Sequence, residues 1–248
     1  MTLFRSLFFA AVLSGLIAGL MVTAIHAVST VPIILQAETY EAAGANAPPP
    51  AHDHGAGNAA AAHEHGTEAW APGEGIERTA YTALADVLTG IGCALLLCAA
   101  YALRGQATDW CQGMFWGLAG FAAFTLAPGL GLPPELPGTE AAPLLERQVW
   151  WLATVAATAG GLALIFLGRR VVPAVAGAAL IVLPHVIGAP QPEVHASLAP
   201  ASLGHDFVVA ATMSSFAFWL VLGMLSGLFY GRFAGAASIN RTRPPVPA

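Results

Sequence analysis

Two short motifs, His52-Asp53-His54 and His63-Glu64-His65, gather four of the eight histidines of the chain into 14 consecutive residues. Neutral imidazole ligates divalent transition metals, and two His separated by one residue can reach one ion together. The motifs lie in an insert at 44–75 that is rich in Ala, Gly and Pro. Such a composition has too little bulk to bury a core, so the insert is expected to be a disordered, His-rich outer loop that captures metal. A plain linker in which His happen to cluster is the competing reading.

The insert is held between long apolar runs. Of 248 residues, 56% are hydrophobic and only 9% are charged, whereas a soluble domain carries about 25% charged residues. The expected fold class is therefore all-α: a polytopic membrane protein with about six transmembrane helices. The spans are placed at about 3–25, 79–103, 113–127, 149–168, 171–187 and 207–230. A cleaved signal peptide has an apolar core of about 7–15 residues. The run from Leu3 to Ile25 is longer and can span, so it reads as a retained first helix. Gly15 and Gly19, Gly113 and Gly117, and Gly223, Gly227 and Gly231 recur at four-residue spacing, the pattern of close helix–helix contact in lipid. Pro128 is expected to end the third span, and the Pro-rich link from Gly129 to Gly138 cannot be helical throughout. Trp150 and Trp151 suit an interfacial aromatic belt.

Charge sorts the two faces. All nine basic residues are Arg. With both termini cytoplasmic, Arg5, Arg104, Arg169, Arg170, Arg232, Arg241 and Arg243 fall inside, and Arg78 and Arg147 fall outside, each next to a Glu. This is a positive-inside distribution. The same assignment puts His26, His52, His54, His63, His65, His185, His195 and His205 outside or at outer helix ends, with twelve of the fourteen acids. A surface of imidazoles and carboxylates suits the collection of a divalent cation. Glu38, Glu41, His185 and His205 lie nearest the membrane on that side and are the candidate ligands of a mouth site. Each alone is more often structural; their shared location makes the case. Asp86 lies within the second span, and an acid at that depth is either a functional group or close enough to the interface to stay hydrated.

Other classes recede. Without Lys there is no Walker A loop and no Lys Schiff base, and no enzyme activity is expected. A net charge of −5 gives no reason to expect nucleic acid as a partner. Cys93 and Cys98 sit in an apolar run as small packing residues rather than a disulfide.

Several stretches together resemble the predicted cobalt-transporter subunit family CbtA. They are Gln36-Ala-Glu-Thr-Tyr-Glu41, the His-x-His insert, Glu68-Ala-Trp-Ala-Pro72 with Glu77-Arg-Thr79, Gly129 to Gly138, Arg147-Gln-Val-Trp-Trp151, and Pro184-His-Val-Ile-Gly-Ala-Pro190. The resemblance implies a multi-pass protein of the bacterial inner membrane that moves cobalt for cobalamin synthesis. It also implies a small His-rich single-span partner subunit of the CbtB type. It carries over no site residues; His52, His54, His63, His65, His185, His205, Glu38 and Glu41 are read from their side chains.

The leading function is a membrane subunit for uptake of a divalent transition metal, Co²⁺ ahead of Ni²⁺ or Zn²⁺, with lipid as its surroundings and no resident cofactor. Two alternatives stand beside it. One is a metal-binding assembly or sensing subunit that does not conduct. The other is a haem-binding membrane redox protein, which would want His pairs inside its spans.

Overall fold

The computed structural model describes residues 2–45, 72–73, 75–106, 108–168, 170–194 and 196–242. The four insert histidines lie outside the described residues, as do His195 and most of the expected disordered loop at 44–75; at its near edge Gly44 and Ala45 are helical, the last residues of the helix Thr30–Ala45, rather than loop. The described chain is helical apart from its links, and its one β-bridge joins Thr139 to Ser197. Five helices are long and apolar enough to cross a membrane: Phe4–Val28, Ile76–Arg104, Trp110–Gly131, Leu144–Leu167 and Ala201–Phe233. A sixth apolar helix, Val171–Ile187, is shorter. The protein is an all-α, multi-pass membrane protein.

Helix α1 (Thr2–Val28) runs into α2 (Thr30–Ala45) with only Ser29 between them. Pro32 explains the break: it has no N–H to offer the carbonyl four residues back, at Val28. Helix α3 (Ile76–Arg104) closes on Gly105, whose left-handed backbone (φ 65°) lets its N–H reach the Tyr101 and Ala102 carbonyls. Helix α4 (Trp110–Phe121) is capped by Asp109, which accepts from the Gln112 N–H at 2.8 Å.

The third span does not stop at Pro128. A π-helical stretch, Ala122–Leu126, follows α4, and α5 (Ala127–Gly131) continues it. The wider turn has the Ala127 N–H bonding the Ala122 carbonyl, five residues back, and places Pro128 in the first turn of α5, where a missing N–H costs little. The remaining helices are α6 (Leu144–Leu167), α7 (Val171–Ile187) and α8 (Ala201–Thr242).

Helices α1, α3, α4 and α8 form the main body, with α1 between α3 and α8 and α4 against α8. The glycine rows decide how close they come. A Cβ on Gly15 or Gly90 would overlap the backbone of the facing helix, so α1 and α3 meet main chain to main chain. Gly113 and Gly117 of α4 meet Gly223 and Gly227 of α8 in the same way. Around these seams lies a core of Ala10, Ala18, Leu97, Tyr101, Trp219 and Leu222. Inside it the Tyr101 and Ser226 hydroxyls satisfy one another at 3.0 Å.

Helices α6 and α7 pair with each other, and α6 reaches the main body through α4, the π stretch and α5. Trp150 of α6 donates its indole N–H to the Pro184 carbonyl in α7 at 3.2 Å. A second, smaller core gathers Ala37 of α2, Leu136 of the Pro-rich link, Ala199, and Leu203 of α8. It ties the end of the bundle that carries Glu38, Glu135 and the start of α8 into one cap.

Candidate functional site

The cap holds most of the described residues that could meet a cation. Glu38 on α2 takes a two-pronged contact from Arg78 at the start of α3, at 2.5 and 3.1 Å. Glu135 in the Pro-rich link pairs with Arg147 of α6 at 2.9 Å. Both arginines thus bond acids from other elements, besides having Glu77 and Glu146 next to them in sequence. The Arg78 hydrogen bonds hold the Glu38 carboxyl below the usual glutamate range; partial burial pulls the other way, and the guanidinium charge adds to the lowering.

A depressed pKa means the pair contributes stability above the ordinary glutamate value of about 4.3 and loses it only as pH falls through the lowered value. Both side chains are about a third exposed, so the contribution is small, about 1 kcal/mol or less. Hydrogen exchange corrected for its intrinsic pH dependence should show α2 opening more readily in Glu38→Gln than in wild type at pH 7, with the difference vanishing in acid. Equal exchange at both pH values would mean the pair does not fasten α2 to α3.

Glu41 lies one turn beyond Glu38 and is exposed. His185, near the end of α7, is half-buried with its ring edge-on to Trp150, the centroids 5.9 Å apart. His205 and Asp206, in the first turns of α8, are exposed. The structure therefore brings Glu38 to Arg78 and His185 to Trp150. Among the described residues, no three His, Cys, Asp or Glu side chains converge on a point where they could hold one ion.

Between the main body and α6 lies a cavity of about 770 Å³. Its polar wall includes Thr125 of the π stretch, Arg147 and Gln148 of α6, and Thr212 of α8. Thr125 shares a hydrogen bond with Ser215 at 2.8 Å. Hydroxyls and amides of this kind suit hard or hydrated cations better than they grip a naked transition metal.

A family model described as "Probable cobalt transporter subunit (CbtA)" matches residues 4–231. The chain belongs to the CbtA family. No curated protein and no solved structure matches it. The match takes in the insert, the cap and all but the last two residues of the six apolar helices, so it covers both the histidine-rich insert and the glycine seams of this CbtA protein.

One constellation of the CbtA chain joins residues that sequence reading kept apart. Asp86 of α3 accepts from the Thr23 hydroxyl of α1 at 2.8 Å, and the same oxygen, Oδ2, stands 3.3 Å from Nδ1 of His26. By position in the sequence His26 falls with the histidines at outer helix ends, and Asp86 falls within the second span. The signal that links them is the register imposed by Gly15 and Gly19: a Cβ at Gly19 would press on Val87 and the Asp86 carbonyl. Thr23 and His26 follow at four and seven residues, on the same face of α1.

Proposed function

We propose that this chain is the membrane subunit through which a divalent cobalt ion is taken up across a bacterial inner membrane to supply cobalamin synthesis. The family match over residues 4–231 carries the reading. The distribution of charge supports an orientation with both termini cytoplasmic: seven arginines then face the cytoplasm, and the His-rich insert faces out. The insert collects the ion, and the helix ends that carry His185 and His205, with Glu41 beside them, pass it inward. Glu38 joins them only when Arg78 releases it, because an ion-paired carboxylate must exchange one cation for another. The chain has no nucleotide-binding motif, so energy from ATP would have to come through another chain, and a small single-span His-rich subunit of the CbtB type is the companion we assign.

A second reading, in which the chain holds metal while a partner conducts it, is favoured by one observation. Among the described residues the cavity beside α6 is lined mainly by apolar side chains, and its polar groups are hydroxyls, an amide and the Glu135–Arg147 pair, with no imidazole, thiol or unpaired carboxylate. Uptake by cells carrying this protein alone, and then with its companion, separates the two. Accumulation of Co²⁺ above that of Ni²⁺ and Zn²⁺ by the chain alone supports conduction; accumulation only with the companion supports the second reading. Reporter fusions give the orientation, and a cytoplasmic signal from a fusion after Gly57 would overturn the outward-facing insert.

A further inference from the structure

We propose that His26 and Asp86, with Thr23, form an intramembrane binding site for a divalent transition-metal ion, a step on the path between the outer face and the interior. The choice of ion rests on the uptake reading above; the site itself rests on geometry. Asp86 is the one described acid more than two turns from either end of its helix. It lies eight residues beyond Arg78, about 12 Å deeper along α3 at 1.5 Å per residue. A carboxylate in such surroundings requires a partner. With the imidazole neutral, the form that ligates metals, His26 and Thr23 bond the carboxylate without cancelling its charge. A divalent cation supplies that counter-charge, with one positive charge left over for water or an anion at its open positions to meet.

The spacing suits such an ion. Two ligand atoms each about 2.0–2.1 Å from the ion stand about 2.8–3.0 Å apart in an octahedral site and about 3.3–3.4 Å apart in a tetrahedral one; His26 Nδ1 and Asp86 Oδ2 are 3.3 Å apart. The ion takes the place of the hydrogen bond between them, with the neutral imidazole carrying its proton on Nε2 so that Nδ1 offers a lone pair. Thr23 Oγ1, 2.8 Å from Oδ2, offers a third oxygen. The His26 and Asp86 side chains are 26% and 18% exposed, so the remaining coordination positions are not walled off by protein. Three donors of mixed type, only one of them charged, suit a transit site that must also let go.

The experiment uses the purified full-length protein with His52, His54, His63 and His65 replaced by Ala, which removes the insert's own imidazoles. Equilibrium dialysis with Co²⁺, read alongside the visible absorption bands of the bound ion, should show an equivalent that weakens at least tenfold in His26→Gln and in Asp86→Asn. Because either variant can disturb the α1–α3 seam, a second measurement uses wild type. Diethyl pyrocarbonate labelling of His26, read by peptide mass, should fall several-fold at saturating Co²⁺. Undiminished labelling of His26, or retention of the equivalent by both folded variants, overturns the site. Uptake in cells separates this failure from that of the function: cobalt import by wild type with no protection of His26 leaves the transport reading standing and removes only this site. Protection of His26 without import supports the site and removes the transport reading.

Discussion

A Gly117→Leu protein should fail to give a monodisperse particle in detergent. A Cβ at Gly117 would already overlap the Trp219 carbonyl oxygen and crowd Gly223 of α8. The obstruction is main chain, which cannot rotate aside as a side chain can. Overpacking among side chains usually costs about 1–3 kcal/mol; forcing two backbones apart also forfeits the contacts of the whole α4–α8 seam, so the cost should exceed that range. Gly92→Ala is the control, since nothing lies within 4 Å of a Cβ there. It should be neutral or stabilising, because Ala exceeds Gly in helix propensity by up to about 1 kcal/mol. Size-exclusion profiles and melting curves of the two variants test the contrast. A Gly117→Leu protein that elutes and melts like wild type would show that α4 and α8 do not meet main chain to main chain.

Replacing His52, His54, His63 and His65 by Ala should reduce uptake about tenfold or more when free Co²⁺ is scarce, and leave the maximal rate close to normal. Paired imidazoles on a tether raise the local metal concentration, which matters only below saturation. From Gly44 to Ala69 the insert's sequence has no large apolar residue to fix its ligands, so a tight coordination geometry there would have to be assembled at an entropic cost. His185 differs, being set on a helix against Trp150. His185→Ala should lower uptake at every metal concentration, and His205→Ala should do the same if the start of α8 lines the mouth. Transport measured against free Co²⁺ separates these patterns. If the four-His variant loses its maximal rate while His185→Ala and His205→Ala match wild type, the helix-end site is wrong and the insert is the essential one.

The sequence made some features legible and hid others for physical reasons. Helicity and membrane residence follow from composition and run length, which are local. The four-residue glycine spacing marked helix faces, and the structure uses them inside the chain: Gly15 against α3, and Gly113 and Gly117 against Gly223 and Gly227. Spacing could not say which face meets which, because that depends on how the helices are arranged. The same gap hid the partnership of His26 with Asp86, 60 residues apart. It also hid the pairing of Arg78 with Glu38, 40 residues away. Pro128 misled for a different reason. The rule that Pro ends a helix assumes the α-helical bonding pattern, and a π stretch just before it alters that pattern.

That stretch has a further consequence, one of phase. A π turn behaves as one extra residue slipped into an α-helix, and each residue of an α-helix turns by about 100°. Everything after Leu126 is therefore rotated by roughly that angle relative to an unbroken continuation of α4. Before the slip, the span turns its glycines to α8; after it, the span turns Gly131 toward the Trp150 ring of α6. One crossing of the membrane thus serves two neighbours on different sides. Deleting a single residue between Ala122 and Leu126 would remove that phase shift and leave only one of those neighbours correctly faced, while setting Pro128 inside an α-helical bonding pattern that it disrupts.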